Sequence, residues 1–163
     1  MNSRISDLQK AVDYVRNTFA ERRILLDYST ESIRHLDKLF DQEFKNGKLK
    51  NPEGGFAKFQ GVILIGVTGY LSEVIIKNTR QTQTEINEQD ENWFISFKVT
   101  AGSNRFVQPG QQILKRIQYG SDAGLHTYAL SAIRYFNDPA VAMTGNSPDS
   151  AVLKKRKPWW KLW

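Results

Sequence analysis

An α+β fold is predicted by two changes of period along the chain. Apolar residues recur at three- and four-residue steps up to about residue 79, alternate at a step of two over 82–99, and return to helical spacing from 113 to 136. The predicted order is three N-terminal helices, a central antiparallel hairpin or three-stranded sheet, two C-terminal helices and a flexible tail. With 163 residues, 40% hydrophobic and 12% aromatic, the chain is long enough for one domain with a real core. The expected organisation is a globular domain over 1–137, a polar linker over 138–153 and a basic-aromatic tail over 154–163.

The first helix rests on Ile5, Leu8, Val12, Val15 and Phe19, with Asp7, Lys10, Asp13 and Arg16 between them. The second follows Ser29 and Thr30 as N-cap candidates, places Glu31 in the electropositive first turn, and carries Ile33, Leu36, Leu39, Phe40 and Phe44 on one side. It ends before the Asn46-Gly47 and Asn51-Pro52-Glu53-Gly54-Gly55 breakers. The third, from Phe56 to Thr79, is apolar all round in its first half, which predicts a central position. Gly61, Gly66 and Gly69 each cost about 1 kcal/mol relative to alanine in a helix, so close approach of a neighbouring element is expected to offset them.

Thr82, Thr84 and Ile86, then Trp93, Ile95, Phe97 and Val99, predict two strands of a hairpin, and Arg105-Phe106-Val107 predicts a short third. Ile113, Leu114 and Ile117 give a short helix stopped at Gly120. Ser121 is the expected cap of the last helix, whose stripe is Leu125, Tyr128, Ala129, Ala132, Ile133 and Phe136.

Charge is distributed unevenly. Residues 154–163 hold five of the 23 Lys and Arg residues and three of the four tryptophans, leaving 18 basic against 17 acidic residues in the remaining chain. The net charge of +6 therefore belongs almost wholly to this segment: Lys154, Lys155, Arg156, Lys157, Trp159, Trp160, Lys161 and Trp163. Tryptophan with lysine suits a membrane-water boundary, where indoles sit at headgroup level and ammonium groups meet anionic lipid. The expected partners are an anionic membrane surface or a protein pocket that takes the tryptophans. Single-stranded nucleic acid ranks lower, because the nearly neutral body supplies no groove to continue the phosphate path. A fourth destination is the chain's own acidic run, Glu85, Glu88, Asp90 and Glu91.

The absence of an apolar N-terminal stretch predicts a cytoplasmic protein, peripheral at the inner face of the membrane. The longest uncharged run, Phe59 to Ser72, has 14 residues, short of the roughly 20 of a spanning helix, so no transmembrane segment is expected. Zero cysteines exclude disulfides and thiolate chemistry. His35 and His126 read as lying on polar sides of separate helices with no second ligand at i+3 or i+4, so neither metal nor cofactor is expected.

Val62-Ile63-Leu64-Ile65-Gly66-Val67-Thr68-Gly69 resembles the nucleotide-binding opening of extended short-chain dehydrogenases. Ser72 at the third glycine position, two preceding helices and a following hairpin argue instead for a buried helix. A second resemblance covers residues 25–136. Gly69-Tyr70-Leu71-Ser72-Glu73-Val74-Ile75, Trp93, and Pro109 with Lys115-Arg116-Ile117 and Gly120 are similar to a group of small uncharacterised bacterial α+β domains, with Ser72 where glycine is expected. That resemblance implies a fold rather than an activity. Within it, Tyr70, Glu73 and Lys77 share a helix face, and Lys115 and Arg116 could complete a polar pocket for an anion or a peptide terminus.

With no recognisable nucleophile, phosphate-binding or metalloprotease motif, the functional expectation is a non-catalytic bacterial protein attached through its tail. The alternatives are an interaction protein such as a toxin-neutralising immunity protein, and an enzyme built around Tyr70, Glu73 and Arg116.

Overall fold

The computed structural model describes residues 3–150 apart from 103, 145 and 146. Its architecture is α+β, with the helices gathered around a long central one and small antiparallel sheets at the side. α1 (Ser3–Glu21) lies along α4 (Gln60–Lys77). A Cβ on Gly66 would meet Ala11 and Val15, and one on Gly69 would meet Val12 and Leu8, so the two helices run antiparallel at backbone contact. The offset expected for the glycines is therefore real at Gly66 and Gly69. At Gly61 it is not, since nothing lies within 4 Å of an added Cβ there.

By length and composition α4 could cross a membrane, with a mean hydropathy of 1.3 over 18 residues. Here 56% of it is buried within the fold, and its hydrophobicity is spent on α1, α6 (Pro109–Tyr119) and α7 (Leu125–Asn137). Val67, Tyr70, Leu71, Val74 and Ile75 on α4 are fully enclosed, with Val12 and Val15 of α1 and Ile33, Leu36 and Phe40 of α2 (Ile33–Glu43) in the same core.

The region expected to form one third helix is divided. α3 (Gly55–Lys58) ends at Phe59, whose φ of −116° and ψ of 16° separate it from α4. Asn46-Gly47, expected only as a breaker, turns a short hairpin of β1 (Phe44–Lys45) and β2 (Lys48–Leu49). Both turn residues have positive φ, +53° and +79°, as the mirror-image hairpin turn requires.

The expected three-stranded sheet forms as β3 (Gln83–Glu85), β4 (Lys98–Ala101) and β5 (Arg105–Val107), antiparallel with β4 central. Thr84 faces Val99, which in turn faces Val107. One strand expectation is overturned: Trp93–Ser96 is a helical turn, α5. Trp93 and Phe97 are buried whereas Phe94 and Ile95 are only half-buried, so the working spacing is four rather than two. Asp90 fixes that turn, accepting from the Asn92 N–H at 2.8 Å and from the Ser96 hydroxyl.

The helix expected at 113–117 extends over all of α6, and the 3-10 turn Gly120–Ala123 leads from it to α7. Beyond α7, within the segment expected to be a polar linker, Pro139–Met143 forms α8, capped by Asp138 through the Ala140 N–H, and Pro148–Ser150 makes a 3-10 turn.

Candidate functional site

Arg116 is the most deeply buried charge in the described fold, with 2% of its side chain exposed. Its Nε donates to Asp37 Oδ1 at 2.9 Å, and its Nη2 donates to the Asp37 carbonyl at 2.9 Å and to Asp41 Oδ1 at 2.6 Å. Asp37 then reaches a third helix: Oδ1 accepts from the Leu125 N–H and Oδ2 from the His126 N–H, at 2.9 and 3.0 Å. A carboxylate on α2 thus caps α7 and neutralises an arginine on α6. This replaces the expected Ser121 cap, because the N-cap position before α7 is Gly124, which has no side chain to cap it.

Tyr70 belongs to a different network. Its hydroxyl accepts from the Tyr28 N–H at 2.8 Å and shares a 2.6 Å hydrogen bond with Ser32 Oγ, while its ring stacks on Tyr28 at 5.1 Å. Tyr28 sits at a φ of +64°, outside the usual region for a bulky residue, and Tyr70 and Asn78 hold its backbone N–H and carbonyl. Arg16 and Lys77 lie over the Tyr28 ring at 4.8 and 4.6 Å. Burial raises the phenol pKa of both tyrosines, and for Tyr28 the neighbouring Glu73 carboxylate adds to the rise.

Of the five residues expected to share a polar pocket, Tyr70, Glu73 and Lys77 do gather, around Tyr28. Arg116 is committed to Asp37 and Asp41, and Lys115 donates to the Asp149 carbonyl. Three networks on separate partners replace the single pocket. Among the described residues, every buried side-chain nitrogen or oxygen has a hydrogen-bond partner. The guanidinium that could have received an anion already holds two carboxylates.

The remaining polar cluster surrounds Asp149. Its Oδ1 accepts from the Tyr128 hydroxyl at 2.8 Å and its Oδ2 from the Gln108 N–H at 2.9 Å. Burial raises the pKa of both side chains, and the Asp149 charge pushes Tyr128 further. Beside it an open cleft is lined by Lys115, Ser121, Asp122, Thr127, Ser131 and Pro148.

His126, expected on a polar side, is buried, and its Nε2 lies 3.1 Å from Glu31 Oε1. The Arg34 guanidinium first, and His126 second, holds Glu31 below the usual carboxylate range. Among the described residues no His, Asp or Glu cluster has metal-binding geometry.

Asp37, Asp41 and Asp149 were missed by the sequence reading. Asp37 and Asp41, one turn apart on a helix, carried a usable signal, because two like charges on one face call for a cation between them. The basic-aromatic residues 154–163 lie outside the described residues. No known family model, curated protein or solved structure matches the chain.

Proposed function

We propose that this protein is a non-catalytic binding protein whose residues 154–163 attach it to an anionic membrane surface, at the cytoplasmic face. One observation carries the reading: five basic residues and three tryptophans occupy ten positions beside a body of nearly balanced charge. Each basic residue near an anionic leaflet contributes about 1 kcal/mol, so five supply on the order of 5 kcal/mol before the indoles are counted. That suffices for reversible attachment, in which interfacial tryptophans add affinity and orientation. The architecture of the body supports the reading. Its buried ionic groups brace helices against one another: Arg116 ties α6 to α2, and Asp37 ties α2 to α7.

The test is co-sedimentation of the full chain, and of a chain ending at Leu153, with vesicles of phosphatidylcholine alone or mixed with phosphatidylserine. The full chain should pellet with the mixed vesicles only and be released by salt, as surface electrostatics require. The shortened chain should keep its circular dichroism and stay in solution. Equal pelleting of both chains would overturn the proposal.

A further inference from the structure

Residues 147–150 lead into the basic-aromatic segment, and they are tied to the body at several points. Asp149 bonds to the Tyr128 side chain of α7 and to the Gln108 backbone at the start of α6, and its own carbonyl accepts from Lys115. Inside the turn, Ser147 Oγ accepts from the Asp149 N–H, and the Ser150 hydroxyl donates to the Ser147 carbonyl. After α7 ends at Asn137, α8 and the turn Pro148–Ser150 both pack on α7 and Asp149 reaches Tyr128, so the described residues beyond 137 return along α7 rather than leave it.

Tether length then decides orientation. From Ser150 to Lys154 is four Cα steps, at most about 14 Å, and Lys157 lies within about 25 Å of Ser150 even when fully extended. A compact domain of this size is roughly 40 Å across, taking a radius of gyration near 15 Å. A root at Ser150 therefore keeps the first four basic residues on its own side of the molecule, whereas a free linker from residue 138 would let them reach every face.

The surface beside the root suits the same partner. α7 contains no acidic residue, and its outer side presents Thr127, Leu130, Ser131 and Arg134, with Leu130 47% exposed. Thr127 and Ser131 share the cleft with Pro148, which places the root along this strip; Asp122 is the one carboxylate in the cleft lining, and Lys115 is in the lining with it. Two exposed acids border α7 at its N-terminal end, Glu31 beside His126 and Asp122 in the cleft, while the strip from Leu130 to Arg134 carries none; Asp7, Asp13 and Glu21 are exposed on α1 and Glu85, Glu88 and Glu91 around the sheet.

We infer that Asp149 is a positioning residue that roots the basic-aromatic segment on the body, so that the outer strip of α7 is turned toward an anionic membrane. This rests on the membrane-attachment reading, and the experiment separates the two. The chain has no cysteine, so single cysteines can be introduced cleanly. A nitroxide at Ser150 tests the root without any membrane: it should be immobilised in the otherwise native chain and freed by Asp149→Ala, and a label already free in the native chain would overturn the root.

With phosphatidylserine vesicles carrying quencher-labelled lipid, a fluorophore at Ser131 should be quenched and one at Asp13 spared. Inserting a Gly/Ser stretch of about eight residues after Ala151 leaves Asp149 untouched and lengthens the tether; it should abolish that difference while pelleting is retained. Equal quenching at the two positions in the native chain, with pelleting intact, would overturn the orientation alone. Failure to pellet would overturn the attachment reading, and the orientation with it.

Discussion

At Gly61 and Gly66 the same added methyl group has opposite consequences on one helix. A Cβ at Gly66 would stand 2.2 Å from the Ala11 carbonyl oxygen, a backbone atom that cannot rotate away, so α1 and α4 would have to separate. Gly66→Ala is expected to destabilise the protein by about 1–3 kcal/mol, the range for overpacking. Gly61 meets open space, and Gly61→Ala should stabilise by about 0.5–1 kcal/mol through helix propensity and a less flexible unfolded chain. Urea unfolding midpoints should move in opposite directions, and a shared direction would contradict the close packing of α1 on α4. The sequence marked all three glycines of this helix as costly. Which of them a neighbour touches depends on where α1 lies, and no local pattern contains that.

Between elements, the decisive unit is the carboxylate of Asp37. It neutralises a buried guanidinium and supplies the cap that α7 lacks in its own sequence. Asp37→Ala should cost about 3–5 kcal/mol, the range for removing one partner of a buried ion pair. Asp41 bonds to the same arginine from a position with 58% of its side chain exposed, and Asp41→Ala should cost no more than about 1 kcal/mol. Denaturant unfolding of the two variants measures the contrast. Amide exchange at Leu125 and His126 should quicken in the Asp37 variant alone, and equal exchange in both would remove Asp37 as the cap. The amphipathic helices were legible because each writes its buried face into its own spacing. The cap was not, since its donor and acceptor are separated by 88 residues.

For the whole molecule, buried phenols link stability to alkaline pH. Burial raises the pKa of Tyr28, Tyr70 and Tyr128 above the ordinary 10.0, most strongly for Tyr128 beside Asp149. The folded state therefore holds protons that the unfolded chain releases. The associated stability is fully present below pH 10.0 and is lost as the pH rises through the folded values. Of the six tyrosines, the buried Tyr70 and Tyr128 should yield phenolate absorbance only as circular dichroism is lost. Complete titration of all six with the fold intact would contradict their enclosure.

The sequence by itself determined the α+β class, the amphipathic helices, the presence of antiparallel strands between residues 82 and 107 and the concentration of charge in residues 154–163, because hydrophobic period and charge are local properties. Tertiary structure decided the rest. It turned Trp93–Ser96 into a helix, because Trp93 and Phe97 are buried one helical turn apart. It divided the expected Tyr70, Glu73, Lys77, Lys115 and Arg116 group among three networks, because Asp37 and Asp41 satisfy the arginine, Asp149 engages Lys115, and Tyr28 and Ser32 engage Tyr70 elsewhere. It also tied Asp149 to α6 and α7, a contact that brings residues 41 positions apart together once the chain has folded back along α7.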